Sequence, residues 1–321
     1  MKFDELELTI GSLLDNLGRT FRLDQSLSGR PLREHLDRII REAATTEIVE
    51  FGTPGSAAEL RRSADGVMNF FYRPHLFPGM DPALHLGHLV QYNLLPRELP
   101  ADSPIEAVAM LESYCHLSGD LFGWRSTPEG GLTTWVLDVS GHGVRAGFAA
   151  VVFKLILAET DPQLSLTALV KDVEARFIET RNPDDPGCMY ATGVLLKISP
   201  TGAVDYLSAG HPPIIVRRSS GAIETFDSTA IPIALVPDVE TGSASFELEP
   251  GDAMVICTDG LLELRNDAGE LFGLEHTIES IAASDGTPCG IYNDLTKAIE
   301  NFHDLDRLDD DLSFVAMRLR D

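Results

Sequence analysis

The stretch TTWVLDVSGHG, residues 133–143, joins a run of apolar residues to an acid and a glycine-rich turn. The apolar run is typical of a buried strand, and Asp138 stands at its end. A carboxylate is costly to bury alone, so Asp138 is expected to meet positive charge. The glycines behind it let the backbone approach a ligand closely. The stretch therefore predicts a sheet with a binding site at one strand end.

The same arrangement recurs in AMVICTDGLLE, residues 253–263, where an apolar run leads to Asp259 and Gly260. Asp120 follows a glycine in LSGDLFGW, and the acids at residues 309–311 precede the last apolar run, LSFVAMRL. An isolated T-D-G is usually only a turn, and three acids alone are typical of a solvated strand cap. Taken together, these carboxylates predict a site for Mg²⁺ or Mn²⁺, which prefer oxygen ligands, rather than for zinc.

Short apolar runs separated by turns fill residues 105–321 and predict a domain rich in β-strands. Two longer stretches, RAGFAAVVFKLILAET and LTALVKDVEARFIETR, keep their apolar residues near a period of 3.6 and predict at least two helices. Helices packed on sheets give a layered α/β (α+β) sandwich.

The first 81 residues have mostly helical spacing, as in PLREHLDRIIREA, where Ser28 is a candidate cap and Pro31 a candidate first residue. They are expected to form a helix-rich regulatory, sensor or dimerisation segment, with a mixed, strand-like piece at MNFFYRPHLF. Residues 82–104 are expected to form a linker helix and an extended, proline-rich connector to the domain at 105–321.

The composition limits the classes of partner. The chain has 321 residues, with 50 acidic against 25 basic ones and a formal net charge of -25, so nucleic acid is not an expected partner. Its four cysteines, far apart in the sequence, indicate neither a zinc site nor a disulfide framework. With no signal-like N-terminus and no apolar span, the chain is expected to be cytoplasmic and not membrane-bound.

Seven motifs occur in one order: SGDLFGW at 118–124, LDVSGHGV at 137–144, SAGHPP at 208–213, PGD at 250–252, TDGLLE at 258–263, NDAGELFG at 266–273 and DDLSFV at 310–315. In that order they resemble the motifs of the PPM (PP2C-like) protein serine/threonine phosphatases, in the SpoIIE/RsbU-type bacterial regulatory branch. QYNLLP at 91–96 is similar to the linker and domain entry of that branch. The resemblance covers about residues 90–321.

The resemblance implies a four-layer αββα sandwich of two antiparallel sheets with a two-metal centre at one end. The implied metal ligands are Asp120, Asp138, the Val139 carbonyl, Asp259 and Asp310. Asp138 and His142 are the implied catalytic residues, with Gly119, Gly141 and Gly260 shaping the loops. The sequence departs from the family pattern in three places: residues 118–120 read S-G-D where G-G-D is usual, Gly123 replaces a frequent acid, and residues 232–234 read P-I-A where P-L-G is usual.

The implied activity is hydrolysis of phosphoserine or phosphothreonine by a water activated by two Mn²⁺ or Mg²⁺ ions. His142 is one candidate for protonating the leaving oxygen, and a metal-bound water is the other. The resemblance implies a phosphorylated STAS-type anti-sigma-factor antagonist as substrate in stress signalling, and an upstream regulator of the N-terminal segment. A homodimer is left open. The alternatives are a catalytically weak binding or adaptor module and a metal-dependent phosphodiesterase, which the net charge disfavours for nucleic acid.

Overall fold

The computed structural model describes most of the chain, namely residues 3–27, 30–50, 70–71, 84, 87–88, 90–91, 94–96, 98–115, 117–184 and 189–320. The helices are α1 (Phe3–Leu17), α2 (Leu32–Glu50), α3 (Gly143–Glu159), α4 (Leu166–Thr180), α5 (Asp259–Leu262), α6 (Gly273–Ala283) and α7 (Pro288–Phe302), with a 3₁₀ turn at Leu305–Arg307. The strands are β1 (Ser26–Leu27), β2 (Arg30–Pro31), β3 (Phe70–Phe71), β4 (Ile105–Glu112), β5 (Asp120–Ser126), β6 (Leu132–Val139), β7 (Ala191–Ile198), β8 (Ala203–Ala209), β9 (Ile214–Arg217), β10 (Ile223–Phe226), β11 (Ala244–Glu247), β12 (Ala253–Cys257) and β13 (Leu312–Leu319).

Two sheets form the centre of the fold. Sheet A has the order β11-β8-β7-β6-β5, and sheet B has the order β10-β9-β12-β13-β4-β3. All their pairings are antiparallel except that of β3, which runs parallel to β4. The two-sheet sandwich expected from the sequence is confirmed.

Three apolar layers hold the sandwich together. The middle layer lies between the sheets and includes Val136 of β6 and Val315 of β13. Trp135 and Leu137, which alternate with Val136, face the layer under α3 and α4, as a strand period of two requires. The third layer packs α6 and α7 on sheet B. The layer order is therefore helix, sheet, sheet, helix.

Helix α3 is apolar over most of its surface and is largely buried. Its Phe153 stacks on Phe177 of α4, with ring centroids 3.9 Å apart. The Ser165 side chain caps α4 by accepting a hydrogen bond from the Ala168 amide. This packing fixes α3 beside β6, whose end carries Asp138.

The described part of the N-terminal segment packs against the same layer. Leu13 of α1 and Leu36 of α2 belong to the apolar cluster that contains α3 and α4. Phe21 pairs with Arg181 in an isolated β-bridge just after α4. The division at residue 82 remains a prediction, and the segment around it lies partly outside the described residues.

Local expectations for this segment have mixed outcomes. Pro31 lies in β2 and α2 begins at Leu32, while Ser28 lies outside the described residues. Of the helix expected over 82–94, the described residues are helical. In the described part of the chain, no helix is both long and apolar enough to cross a bilayer.

Candidate active site

The acids singled out in the sequence meet at one end of the sandwich. Asp120 at the start of β5 is directly opposite Asp138 near the end of β6. In sheet B, β12 and β13 are antiparallel, so Asp259, just after β12, and Asp310, just before β13, are at the same edge. The two sheets thus each contribute a pair of carboxylates to one region.

A buried hydrogen-bond network joins the two sheets beneath these acids. The Thr258 hydroxyl donates to Asp120 Oδ2 across the sandwich at 2.8 Å. The same hydroxyl oxygen accepts a hydrogen bond from the Ser313 amide at 3.0 Å. Thr258 therefore connects the loop that carries Asp259 to β5, the strand of sheet A that begins at Asp120.

Asp311 was not among the implied metal ligands, and in the structure it holds a loop in place. Its buried carboxylate accepts hydrogen bonds from the amides of Tyr114 at 2.8 Å and Gly119 at 2.7 Å. Burial raises the pKa of Asp311 to about 6 against these hydrogen bonds. The contacts hold the β4–β5 loop against the start of β13.

Asp310 is exposed, like Asp309 before it, whereas Asp311 after it is buried. Its Oδ1 accepts the Asp311 amide at 2.9 Å, and its charge acts on both Asp138 and Asp259. The structure thus places Asp310, rather than Asp311, with a carboxylate facing solvent beside the other acids.

Burial and mutual repulsion keep protons on the cluster. Burial, followed by the charges of Asp259, Asp310 and Asp311, raises the pKa of Asp138 to about 8. The Asp138 and Asp259 side chains share a hydrogen bond, which favours the proton on Asp138. Burial and the nearby Asp138 raise the pKa of Asp120 well above its usual value.

The residues present fit a hard divalent cation. Asp120 Oδ1 is buried and has no hydrogen-bond partner among the residues described. The side chains in the described ranges do not, as they stand, bring three His, Cys, Asp or Glu groups into a ready-made metal cage. Instead, the raised pKa values of these carboxyl groups favour their protonated forms, which do not repel one another. A donor set made only of oxygen atoms suits Mg²⁺ or Mn²⁺. A cation would take over the role of those protons.

His142 lies at the mouth of this cluster, exposed, as the residue before the first turn of α3. Its side chain does not cap the helix. The Tyr114 ring packs against it edge to face, with centroids 5.1 Å apart. The imidazole is therefore oriented by Tyr114 and free of a capping duty.

The three glycines predicted to shape the loops differ in what they permit. Gly141 has a φ of +87°, in the left-handed region that favours glycine. A Cβ atom at Gly119 would lie 2.7 Å from the Val139 carbonyl oxygen, and one at Gly260 would overlap the Asp311 carbonyl. Gly119 and Gly260 are thus close-approach positions, and both lie where the acid loops meet.

Gly260→Ala should destabilise the chain, because the added methyl group meets backbone rather than a movable side chain. We expect a loss of about 2–3 kcal/mol in the free energy of unfolding, the range typical of overpacking in a dense core. Urea denaturation with metal removed would measure it. Gly11→Ala is the matched control, because a Cβ atom at Gly11, on α1, would meet no atom within 4 Å. Gly269→Ala would not serve, because Gly269 has a positive φ. Equal stability of the two variants would contradict the prediction.

At Gly123, where the family often has an acid, neighbouring side chains occupy the space that a side chain would need. A Cβ atom there would lie 2.5 Å from Lys154 Nζ and 2.6 Å from the Trp135 ring. Lys154 sits over that ring, 4.9 Å from its centroid, and burial lowers the pKa of the lysine to about 8. The departure accommodates a packed lysine of α3.

The departure at residues 232–234 puts an alanine in a backbone conformation that favours glycine. Ala234 adopts a φ of 63°, in the left-handed region where glycine is favoured. Its amide donates to Glu174 Oε1 of α4 at 3.1 Å, and the neighbouring Ile233 pairs with Ala191. These contacts hold the loop beside β7.

Two further residues that support the site lie in the quoted motifs QYNLLP and SAGHPP but were not singled out as site residues. Gln91 donates to the carbonyls of Ser118 and Gly147 and accepts the Ser118 amide, so the helical residues before the domain are tied to the loop that carries Asp120. His211 is buried with Nδ1 3.0 Å from the Thr192 hydroxyl, and burial lowers its pKa to about 3. His211 is thus a neutral, structural histidine, as expected for its turn.

The chain is similar to known proteins in both sequence and fold. A family model described as Stage II sporulation protein E (SpoIIE) matches residues 128–320. Phosphoserine phosphatase RsbP of Bacillus subtilis (strain 168) is 26% identical over 182 residues, which are 56% of this chain and 45% of that protein. The chain therefore spans less than half the length of this relative.

Two solved structures show the same fold. The SiaA-PP2C domain of Pseudomonas aeruginosa superposes with a TM-score of 0.62 at 15% identity, covering 74% of this chain and 95% of that one. The PP2C phosphatase domain of SpoIIE from Bacillus subtilis, with a fragment of its regulatory domain, gives a TM-score of 0.55 at 15% identity, covering 99% and 94%. At these identities the likeness concerns the architecture.

Proposed function

Because the chain belongs to the SpoIIE family of PP2C-like serine/threonine phosphatases, we propose that it hydrolyses phosphoserine or phosphothreonine on a regulatory phosphoprotein with the help of Mn²⁺ or Mg²⁺. The observation that carries this proposal is the convergence of Asp120 and Asp138 from one sheet with Asp259 and Asp310 from the other at one end of the sandwich.

Asp138, Asp259 and Asp310, the Val139 carbonyl and, through its unpartnered Oδ1, Asp120 would hold the cations. When bound, divalent cations of this kind lower the pKa of water and offset charge on a phosphoryl group. They would also turn an acidic surface that repels phosphate into a local attraction, which matters for a chain with a net charge of -25.

The chain's own residues contribute positioning and proton transfer. Thr258 and Asp311 hold the acid loops in register through buried hydrogen bonds. His142 is exposed, oriented by Tyr114 and next to the acids, so we assign it to protonate the leaving serine or threonine oxygen. No covalent phosphoenzyme is required.

For the substrate we propose a phosphorylated STAS-type anti-sigma-factor antagonist. Support comes from the relative named as a phosphoserine phosphatase and from the family match. We further propose that residues 1–81 form a regulatory segment that acts in the cytoplasm on residues 105–321. The Gln91 side chain, bonded to Ser118 and Gly147, offers it a physical connection to the Asp120 loop.

Hydrolysis of p-nitrophenyl phosphate by the full chain tests the proposed chemistry. We expect turnover with Mn²⁺ or Mg²⁺ and none after chelation, restored when the metal is returned. A parallel assay compares a phosphoserine peptide with a dinucleotide, and the peptide should be the better substrate. No metal-stimulated turnover would favour the adaptor alternative, and a preference for the dinucleotide would favour a phosphodiesterase.

A further inference from the structure

The β4–β5 loop brings a thiol to a histidine at the edge of the acid cluster. Cys115 Sγ lies 3.8 Å from His142 Nδ1, although the two residues are 27 positions apart. Cysteine spacing in the sequence indicated no zinc site, because such a pair is created only by folding. Cys115 is half-buried and His142 is exposed, so solvent reaches the pair from one side.

The spacing of sulfur and nitrogen matches two ligands of one tetrahedral ion. Zinc binds cysteine sulfur at about 2.3 Å and histidine nitrogen at about 2.0 Å, which places the two ligand atoms about 3.6 Å apart at tetrahedral angles. Thiolate and imidazole are also the ligand types that separate Zn²⁺ from Mg²⁺ and Mn²⁺. The pair is therefore chemically distinct from the oxygen-only site beside it.

The histidine of the pair is held in place from behind. The Tyr114 ring packs edge to face on His142, and the Tyr114 amide donates to buried Asp311. The neighbouring carboxylates of Asp311 and Asp310 are close enough for their charges to act on the Cys115 thiol. A divalent cation at the pair would find negative charge nearby, and water would complete its coordination.

We propose that Cys115 and His142 form a binding site for a soft divalent cation, Zn²⁺ in the first place, which inhibits the enzyme when occupied. An ion there would occupy the imidazole that we assign to proton transfer. The inhibitory part rests on the proposed function, whereas the binding part stands on the geometry of the pair.

Cobalt(II) gives a readout that does not depend on activity, since a cobalt–thiolate bond adds charge-transfer absorption in the near ultraviolet. The full chain, saturated with Mg²⁺ to fill the oxygen sites, would be titrated with Co²⁺ and the absorption then chased with Zn²⁺. We expect a band at one equivalent that Zn²⁺ removes. Cys115→Ser should abolish the band, and His142→Ala should weaken Zn²⁺ binding at least about tenfold.

Cys289→Ser is the matched control, because Cys289 is an exposed cysteine on α7, and it should leave the band unchanged. A wild-type chain without the band, or a band that persists in Cys115→Ser, would overturn the proposal. In the activity arm, Zn²⁺ should inhibit Mn²⁺-supported hydrolysis less strongly in Cys115→Ser than in the wild type. If hydrolysis fails in every variant while the band behaves as expected, the metal site stands and the phosphatase proposal falls.

Discussion

Asp138→Asn should reduce phosphatase turnover at least about a hundredfold, the scale on which loss of one preorganised electrostatic group lowers a rate. The amide has nearly the shape of the carboxyl group but cannot carry the negative charge that a ligand of a divalent cation would supply. Burial and the surrounding acids already disfavour that charge, raising the pKa of Asp138 to about 8, so only a cation makes it favourable. The neutral variant should therefore fold and fail to bind metal productively.

The measurement is the rate of p-nitrophenyl phosphate hydrolysis at saturating Mn²⁺, with circular dichroism to show that the variant is folded. Asp205→Asn, an exposed carboxylate in the middle of β8, is the matched control and should keep full activity. Near-normal turnover of Asp138→Asn at saturating Mn²⁺ would remove Asp138 from the metal site.

The strands of the sandwich could be predicted from the sequence because each one has a recognisable local pattern of apolar residues. The run WVL before Asp138 and the run MVI before Cys257 are apolar enough to read as buried strands, and both are. The register was not readable, since only long-range pairing sets Asp120 opposite Asp138. The sequence predicted at least two helices and specified α3 and α4, but it did not specify α6 and α7, although α7 has 15 residues like α4.

Within the site, the sequence indicated which acids to consider, but not which are exposed and which are buried in hydrogen bonds to the backbone. Asp310 and Asp311 are adjacent and chemically identical, yet one faces solvent and the other is buried on two backbone amides. The loop before β13 decides this, because it turns Asp311 toward the amides of Tyr114 and Gly119, and its conformation depends on long-range packing. The pairing of Cys115 with His142 likewise depends on a loop conformation that no local pattern reports.

The metal-free chain should lose stability as the pH rises from about 5 to about 8. Asp138 has its pKa raised by folding from an ordinary value near 4 to about 8, so in this window the folded state binds a proton that the unfolded state has released. More protons on the folded state mean that the free energy of unfolding falls with increasing pH. Each unit of pKa difference corresponds to about 1.4 kcal/mol, so we expect a loss of about 3 kcal/mol for the coupled cluster.

Urea denaturation in the presence of a chelator at several pH values would measure this slope. Asp138→Asn removes one of the charges that deprotonation would create, so the variant should have a shallower slope and be the more stable chain at pH 8, although it is inactive. Part of the slope should remain, because burial also raises the pKa of Asp120 and Asp311. Asp205→Asn should keep the wild-type slope. Adding Mn²⁺ at pH 8 should restore the wild type and leave Asp138→Asn almost unchanged, because the cation stabilises only the ionised cluster. A flat pH profile for the metal-free wild type would show that the carboxylates do not repel one another in solution, and the case for a cation between them would lose its physical basis.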